Sequence, residues 1–290
     1  MKRLMTLLAA LFALTVAQNA YSQDMDDVGD VDDVEDFDQE LTTKSYTCRG
    51  RLGAQASFKL PENFQISVTE DAWFREFRSF DRLMTLFGVS YRPSKYLRFG
   101  ASYGLTSIYK KTDDGHLWDY RHRFAADVTG SYTTGGWNFS LTERFQAAPR
   151  PDGYNPYKYQ KADYALRTRV AASYRFERVP LEPLVSVDMK TSLNLVNPSS
   201  LAFTPDRVGN VNPRFNKLAC DRFRFQGALT YRIDRRNALQ LYYNFDVGVD
   251  HPVNVDDQGL VLSVDGSGNL LRLTDKSYAS TAGLTYKFSI

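Results

Sequence analysis

The chain has 290 residues, 36 basic and 34 acidic side chains for a net charge of +2, an aromatic content of 14% and only two cysteines. Cys48 and Cys220 are too few and too far apart for a disulfide framework or a finger-type metal site, and no cofactor or nucleic-acid partner is expected. Beyond the N-terminus no segment approaches 18 apolar residues, which excludes membrane-spanning helices. The mean hydropathy of −0.42 does not exclude a membrane β-barrel, in which only alternate residues face lipid.

Residues 1–22 have the order of an export signal. Lys2 and Arg3 precede the apolar run Leu4–Val16, and Ala20-Tyr21-Ser22 supplies small residues at −3 and −1 for cleavage before Gln23. Residues 23–40 follow as an acidic tail, expected to be disordered: from Asp24 to Glu40 there are ten acidic residues and no basic one. Asp24, Asp26, Gly29, Asp32 and Glu35 have the spacing of a calcium loop, but Val28 stands at a ligand position, so no metal site is expected. Residues 41–290 keep 34 basic against 24 acidic side chains, so an acidic tail sits on a basic body.

From residue 41 onward the text is a series of segments that alternate apolar and polar. Leu52, Ala54, Ala56, Phe58 share one face of the first clear strand; Ile66, Val68, Ala72, Phe74 share one face of the next. The same period runs through Leu83–Tyr91, Leu97–Leu105, Tyr120–Tyr132, Trp137–Phe145, Tyr164–Phe176, Val185–Leu195, Phe223–Ile233, Leu239–Val247 and Tyr278–Ile290. Period two repeated this often argues a sheet with one apolar face. Short turns are expected at 61–63, 92–95, 133–136, near 179–181 and at 234–237, with longer links after strands two, four, six, eight and ten. Short turns on one side and long loops on the other are the habit of an outer-membrane barrel. Eleven strands are visible. If both ends of the chain lie on the short-turn side, an earlier strand is needed, and only Leu41–Cys48 can supply it. The expected fold is therefore all-β, an antiparallel up-and-down transmembrane barrel of about twelve strands, with ten as the fallback. Thr281-Ala282-Gly283-Leu284-Thr285-Tyr286-Lys287-Phe288 has the polar-x-Gly-x-x-aromatic-x-aromatic order of a barrel assembly signal, with Gly283, Tyr286 and Phe288 as its fixed positions and two residues following the last aromatic.

The segments at 64–77, 82–105, 119–132, 137–146 and 165–176, with His122-Arg123 in one strand and Arg144 one hairpin later, resemble a family of outer-membrane barrel proteins catalogued as domain of unknown function 2490. The resemblance spans roughly residues 50–290. It implies location and architecture, and no reaction.

Opposite the apolar positions lie Arg98, Arg121, Arg123, Arg144, Arg167, Arg169, Arg175, Lys190, Arg222, Arg224, Arg232 and Lys287, against fewer acids: Asp71, Asp127, Glu177, Asp188, Asp246 and Asp250. Arg121, Arg123, Arg144, Arg167, Arg169, Arg222, Arg224 and Arg232 are the candidate pore-lining residues. Two readings stay open. Such a lumen attracts small anionic solutes by concentrating positive potential between low-dielectric walls, or its charges pair across strands and fill a closed structural or ligand-binding barrel. A third, an outer-membrane lipid-modifying hydrolase, finds little support. Glu70, His122 and Glu143 fall on the lipid-facing phase, but a turn at 133–136 puts His122 opposite about Ala147 and Glu143 opposite about Ala126, too far apart to act together. The protein is not expected to be an enzyme. Its expected partners are outer-membrane lipid and lipopolysaccharide and the barrel assembly machinery. Tyr154, Tyr157, Tyr159 and Tyr164 are expected to belong to an aromatic girdle rather than a sugar site. Cys48 and Cys220 both fall at the outer end, about three strands apart, where a bridge needs a loop excursion.

Overall fold

A computed structural model describes residues 41–112, 115–150, 160–195, 215–250 and 273–290. The signal and the acidic tail of the sequence reading lie outside the described residues, as do Tyr154, Tyr157 and Tyr159. Eleven strands form one closed barrel: β1 (Leu41–Lys59), β2 (Phe64–Arg75), β3 (Ser79–Tyr91), β4 (Leu97–Thr112), β5 (Gly115–Thr134), β6 (Trp137–Pro149), β7 (Ala162–Tyr174), β8 (Leu181–Leu195), β9 (Lys217–Arg232), β10 (Asn237–Asp250) and β11 (Leu273–Ser289). Each strand pairs antiparallel with the next, and β1 closes the ring parallel to β11. The all-β barrel is as the alternation predicts.

The strand number is eleven, not twelve. Leu41–Cys48 is the first part of β1 and runs unbroken into Arg49–Lys59. An even count requires the start of the first strand and the end of the last to lie at one end of the barrel. With an odd number of strands they lie at opposite ends, and the closing pair must then be parallel, from Leu41 beside Leu273 to Ser57 beside Ser289. Parallel pairs are slightly less stable per residue. This seam is pinned at its foot, where Lys59 N–H donates to the Ile290 carbonyl and Ile290 N–H to the Ser57 carbonyl, both at 2.9 Å. The two residues after the last aromatic thus pair across the seam.

The short turns fall where expected. The links after strands two and four do not: β2 and β3 are separated only by residues 76–78, and Thr112 is already paired with Gly115. Beyond the apolar band both faces of a strand are polar, so the alternation goes silent while the backbone pairing continues. The β5–β6 turn is also tighter than expected. Thr134 pairs with Trp137, leaving only Gly135 and Gly136, with φ of 53° and 86°. Two positive φ values in a two-residue hairpin make a type I′ turn. The register therefore sets Phe124 against Ala147 and Val128 against Glu143, two residues from the sequence estimate. A Cβ on Gly136 would lie 3.0 Å from the Tyr174 ring and 3.1 Å from the Arg175 carbonyl, whereas nothing lies within 4 Å of one on Gly135. Gly136→Ala is expected to lower stability by about 1–2 kcal/mol through strain and crowding, and Gly135→Asn to be near neutral. Urea unfolding of the refolded barrel checks both. In the β9–β10 turn the Asn237 side chain and the backbone N–H groups of Arg236 and Asn237 bond the Asp234 carboxylate and hold its carboxyl below the usual range.

The outer wall is apolar, with Leu52, Ile66, Phe87, Val128, Val185, Leu229, Leu241 and Leu284 all exposed on it. Aromatic groups gather at two levels. Near the short turns, Phe64 meets Tyr91, Tyr96 meets Tyr132, and Trp137 meets Tyr174. Toward the other end, Tyr46, Tyr278 and Phe245 stack, Phe80 meets Tyr109 and Trp118, and Phe145 stacks on Tyr164. On one strand, Trp137 and Phe145 are eight residues apart. At the strand rise and a tilt near 40°, eight residues span roughly 20 Å, close to the apolar band of a membrane barrel.

Candidate functional site in the barrel interior

The inner wall carries the charges. Stepping from partner to partner, Lys59, Gln65, Ser90, Gly100, Asp127, Arg144, Arg167, Lys190, Arg222, Gly248 and Ser277 lead once around and back to Ser45, fourteen residues before the start. Eleven strands with that stagger give a strand tilt of about 40° and a backbone radius of about 11 Å. Arginines extending inward from such a wall approach the axis.

Four strands in succession place a cation in this one row. Arg144 stands opposite Arg167, Arg167 opposite Lys190, and Lys190 opposite Arg222. Like charges directly opposite repel, so acids are set beside them. Arg144 bonds Asp127 at 3.0 Å, Arg167 bonds Asp188 at 2.7 Å, and Lys190 bonds Asp221 at 2.7 Å. One row toward the short turns, Arg224 donates from Nε and Nη2 to the two carboxylate oxygens of Asp246. Arg232 pairs with Glu182, and Arg175, beyond the end of β7, lies 3.8 Å from the same carboxylate.

Not every cation is neutralised. Arg169 stands opposite Asp188, which Arg167 holds, and its own hydrogen bonds go to neutral groups, Ser186 Oγ at 3.1 Å and the Gln226 side-chain carbonyl. Among the described residues Arg98 reaches only Thr129 Oγ1, at 3.4 Å. Arg121, more than half exposed, is 3.5 Å from Asp119. Neither Arg222 nor Arg123 has a carboxylate partner among the described residues. Arg123 lies across Gly104 on β4, where a Cβ would stand 3.8 Å from its Nε, and donates to Met84 Sδ on β3 at 3.1 Å.

A second cluster lies beside the closing seam. Arg51 on β1 is ion-paired with Asp71 on β2, a carboxylate with no exposed surface. Its guanidinium lies over Trp73 at 5.0 Å and over Tyr242, from β10, at 5.6 Å. Gly283 is register partner to both Arg51 and Tyr242. Its missing side chain lets the Tyr242 ring cross β11, since a Cβ there would stand 2.3 Å from that ring. The side chains of β2, β1 and β10 therefore meet in one layer over the parallel pair. Sequence reading named Asp71 among the lumen acids and did not single out Arg51, Trp73 or Tyr242. Only the ring closure, which puts β10 one strand from β1, brings them together.

All eight candidate pore-lining arginines face inward, on four strands: Arg121 and Arg123 on β5, Arg144 on β6, Arg167 and Arg169 on β7, Arg222, Arg224 and Arg232 on β9. The assembly-signal residues divide. Gly283 faces inward under Tyr242, whereas Tyr286 faces outward and donates its hydroxyl to the Asn237 side chain. Phe288 lies beside Asn237 on one side and Ala56 on the other. The outward polar residues make local bonds. His122 Nδ1 lies 2.8 Å from Tyr103 Oη, and Thr168 Oγ1 donates to Glu143 at 3.0 Å. Cys48 and Cys220 are both free thiols, exposed and half-buried respectively. Among the described residues no group of three or more His, Cys, Asp or Glu is placed to hold a metal.

No protein-family model and no curated protein matches this chain. Among solved structures, the chain is similar to a NanC porin in a rhombohedral crystal form: 13% identity and a TM-score of 0.41 over 83% of this chain and 98% of that one.

Proposed function

We propose that the protein is an outer-membrane barrel that passes small anions through a narrow, arginine-lined lumen. The observation that carries this reading is the row Arg144, Arg167, Lys190 and Arg222 on four consecutive strands, flanked by Arg123; neither Arg222 nor Arg123 has a carboxylate partner among the described residues. Cations left without a counter-ion in a partly buried wall cost stability, a cost without return in a wall built only to be filled. Positive potential in a lumen with low-dielectric walls concentrates anions there. The two aromatic levels on the outer wall, the export-signal order of residues 1–22 and the resemblance to the outer-membrane family catalogued as domain of unknown function 2490 support the location, with lipid, lipopolysaccharide and the assembly machinery as partners. No reaction is part of this reading.

A second reading, a closed barrel, is favoured by one feature. The layer of Arg51, Asp71, Trp73 and Tyr242 fills the seam side, and a radius of about 11 Å leaves little room beside inward arginines. Single-channel recording of the refolded protein in planar bilayers separates the two. A pore is expected to prefer anions, and to lose that preference when Arg167 and Arg169, or Arg222 and Arg224, are replaced together with Gln. High salt is expected to blunt it in the native protein, as screening shortens the field. A channel that prefers cations, or ignores both double substitutions, contradicts the mechanism. A protein that never conducts is the closed barrel.

A further inference from the structure

We infer that the interior holds a discrete oxyanion site centred on Arg123, where a carboxylate or phosphate group is bound by its guanidinium fork. The inference rests on the reading above that the inner wall is solvated, but not on the lumen being open from end to end.

The inner arginines differ in what they leave unused. Arg144, Arg167 and Arg224 each have an aspartate within 3.0 Å, and Arg51 has Asp71. Each of these pairs is locally close to neutral. Arg123 is the exception. Its only hydrogen bond among the described residues is to a thioether sulfur, Met84 Sδ at 3.1 Å, and sulfur is a weak acceptor. A guanidinium carries five N–H donors and stays charged at any physiological pH, so most of its donors are free to take a ligand.

An uncompensated guanidinium favours an anionic occupant. Arg144 on the neighbouring β6 and Arg167 on β7 already hold Asp127 and Asp188, which leaves Arg123 without a carboxylate partner among the described residues. A charge without a counter-ion, partly withdrawn from bulk water, is relieved most by a bound anion. The side chain is also positioned in advance. It lies over Gly104, where no Cβ lifts it from the wall, and is tethered at Met84. A planar fork held flat suits the two oxygens of a carboxylate, phosphate or sulfate better than a spherical halide. The chemical class is therefore an oxyanion, free or carried by a small solute.

The probe is inorganic phosphate, titrated into the refolded protein in detergent at constant ionic strength in chloride and followed by phosphorus line broadening. One saturable site per barrel is expected, with acetate competing and added chloride not. Arg123→Gln is expected to weaken it at least tenfold. Arg123→Lys keeps the charge without the fork and is expected to weaken it severalfold. Arg235→Gln, in an exposed turn, leaves it unchanged. The absence of a saturable site overturns the inference. So does undiminished affinity in Arg123→Gln or, should that variant fail to refold, in Arg123→Lys. Phosphate binding without conductance removes the pore and keeps the site; conductance without saturable binding does the reverse.

Discussion

Arg51→Met is expected to destabilise the barrel by about 3–5 kcal/mol, the usual cost of leaving one charge of a buried pair alone. Asp71 has no exposed surface, and Arg51 supplies its ion pair, so in the variant the carboxylate is stranded. The loss has a second component. The guanidinium stacks on both Trp73 and Tyr242, and Tyr242 itself is 5% exposed, so removing Arg51 also takes a partner from two aromatic faces. The double variant Arg51→Met/Asp71→Leu is expected to recover most of the stability, because a buried pair exchanged for apolar groups of similar volume is often neutral. Urea unfolding of the refolded protein and heat-dependent gel mobility measure all three. If Arg51→Met is as stable as the native protein, the pair is solvated and the seam-side layer is not a packed element. The same result would reopen that side of the lumen, bearing directly on the choice between pore and closed barrel.

Gly283→Ala is expected to cost about 1–3 kcal/mol, as overpacking does in a filled interior, and Gly283→Val more. The new Cβ would lie 2.3 Å from Cζ and Oη of Tyr242, a separation that no contact sustains, so the ring must leave its place on Arg51. Tyr242→Ala carries its own cost but is expected to make Gly283→Ala nearly free, so the two penalties fall well short of adding. Additive penalties would show that Gly283 does not act through Tyr242. Refolding without cellular factors separates this packing role from recognition by an assembly machinery, since only the packing role survives in their absence. A glycine noticed as part of an assembly signal thus has a second reason to be glycine.

That position shows what a one-dimensional reading can hold. The Gly-x-x-aromatic spacing marked residue 283, yet nothing in the sequence says that Tyr242 crosses above it. In the sequence Arg123 is one inward basic residue among twelve. Its isolation from carboxylates depends on which acid each neighbour takes, and those choices follow from register. The two-residue error at the β5–β6 turn came from the same gap: Thr133-Thr134-Gly135-Gly136 reads as a four-residue turn until the pairing of Thr134 with Trp137 is known.

Strand number failed for a different reason. Leu41–Cys48 has no turn signal before Arg49 and continues straight into the next segment. Splitting it served only to make the count even. The sheet instead accepts an odd number by closing on a parallel pair, an outcome decided by two strands more than 200 residues apart in the chain.

What the sequence by itself determined was the class of object: an all-β barrel with an apolar outer wall, a basic inner wall and short turns at one end. Each is a matter of local alternation, in which neighbouring residues point to opposite faces and turns need particular residues. Only the tertiary structure decided how many strands close the ring, which pair is parallel, which acid neutralises which arginine, and that Arg51, Asp71, Trp73 and Tyr242 meet across the seam. Those features depend on stagger, a single number set by the summed register of eleven pairs, and a shift of two residues in any one of them leaves the alternation untouched while changing every partner.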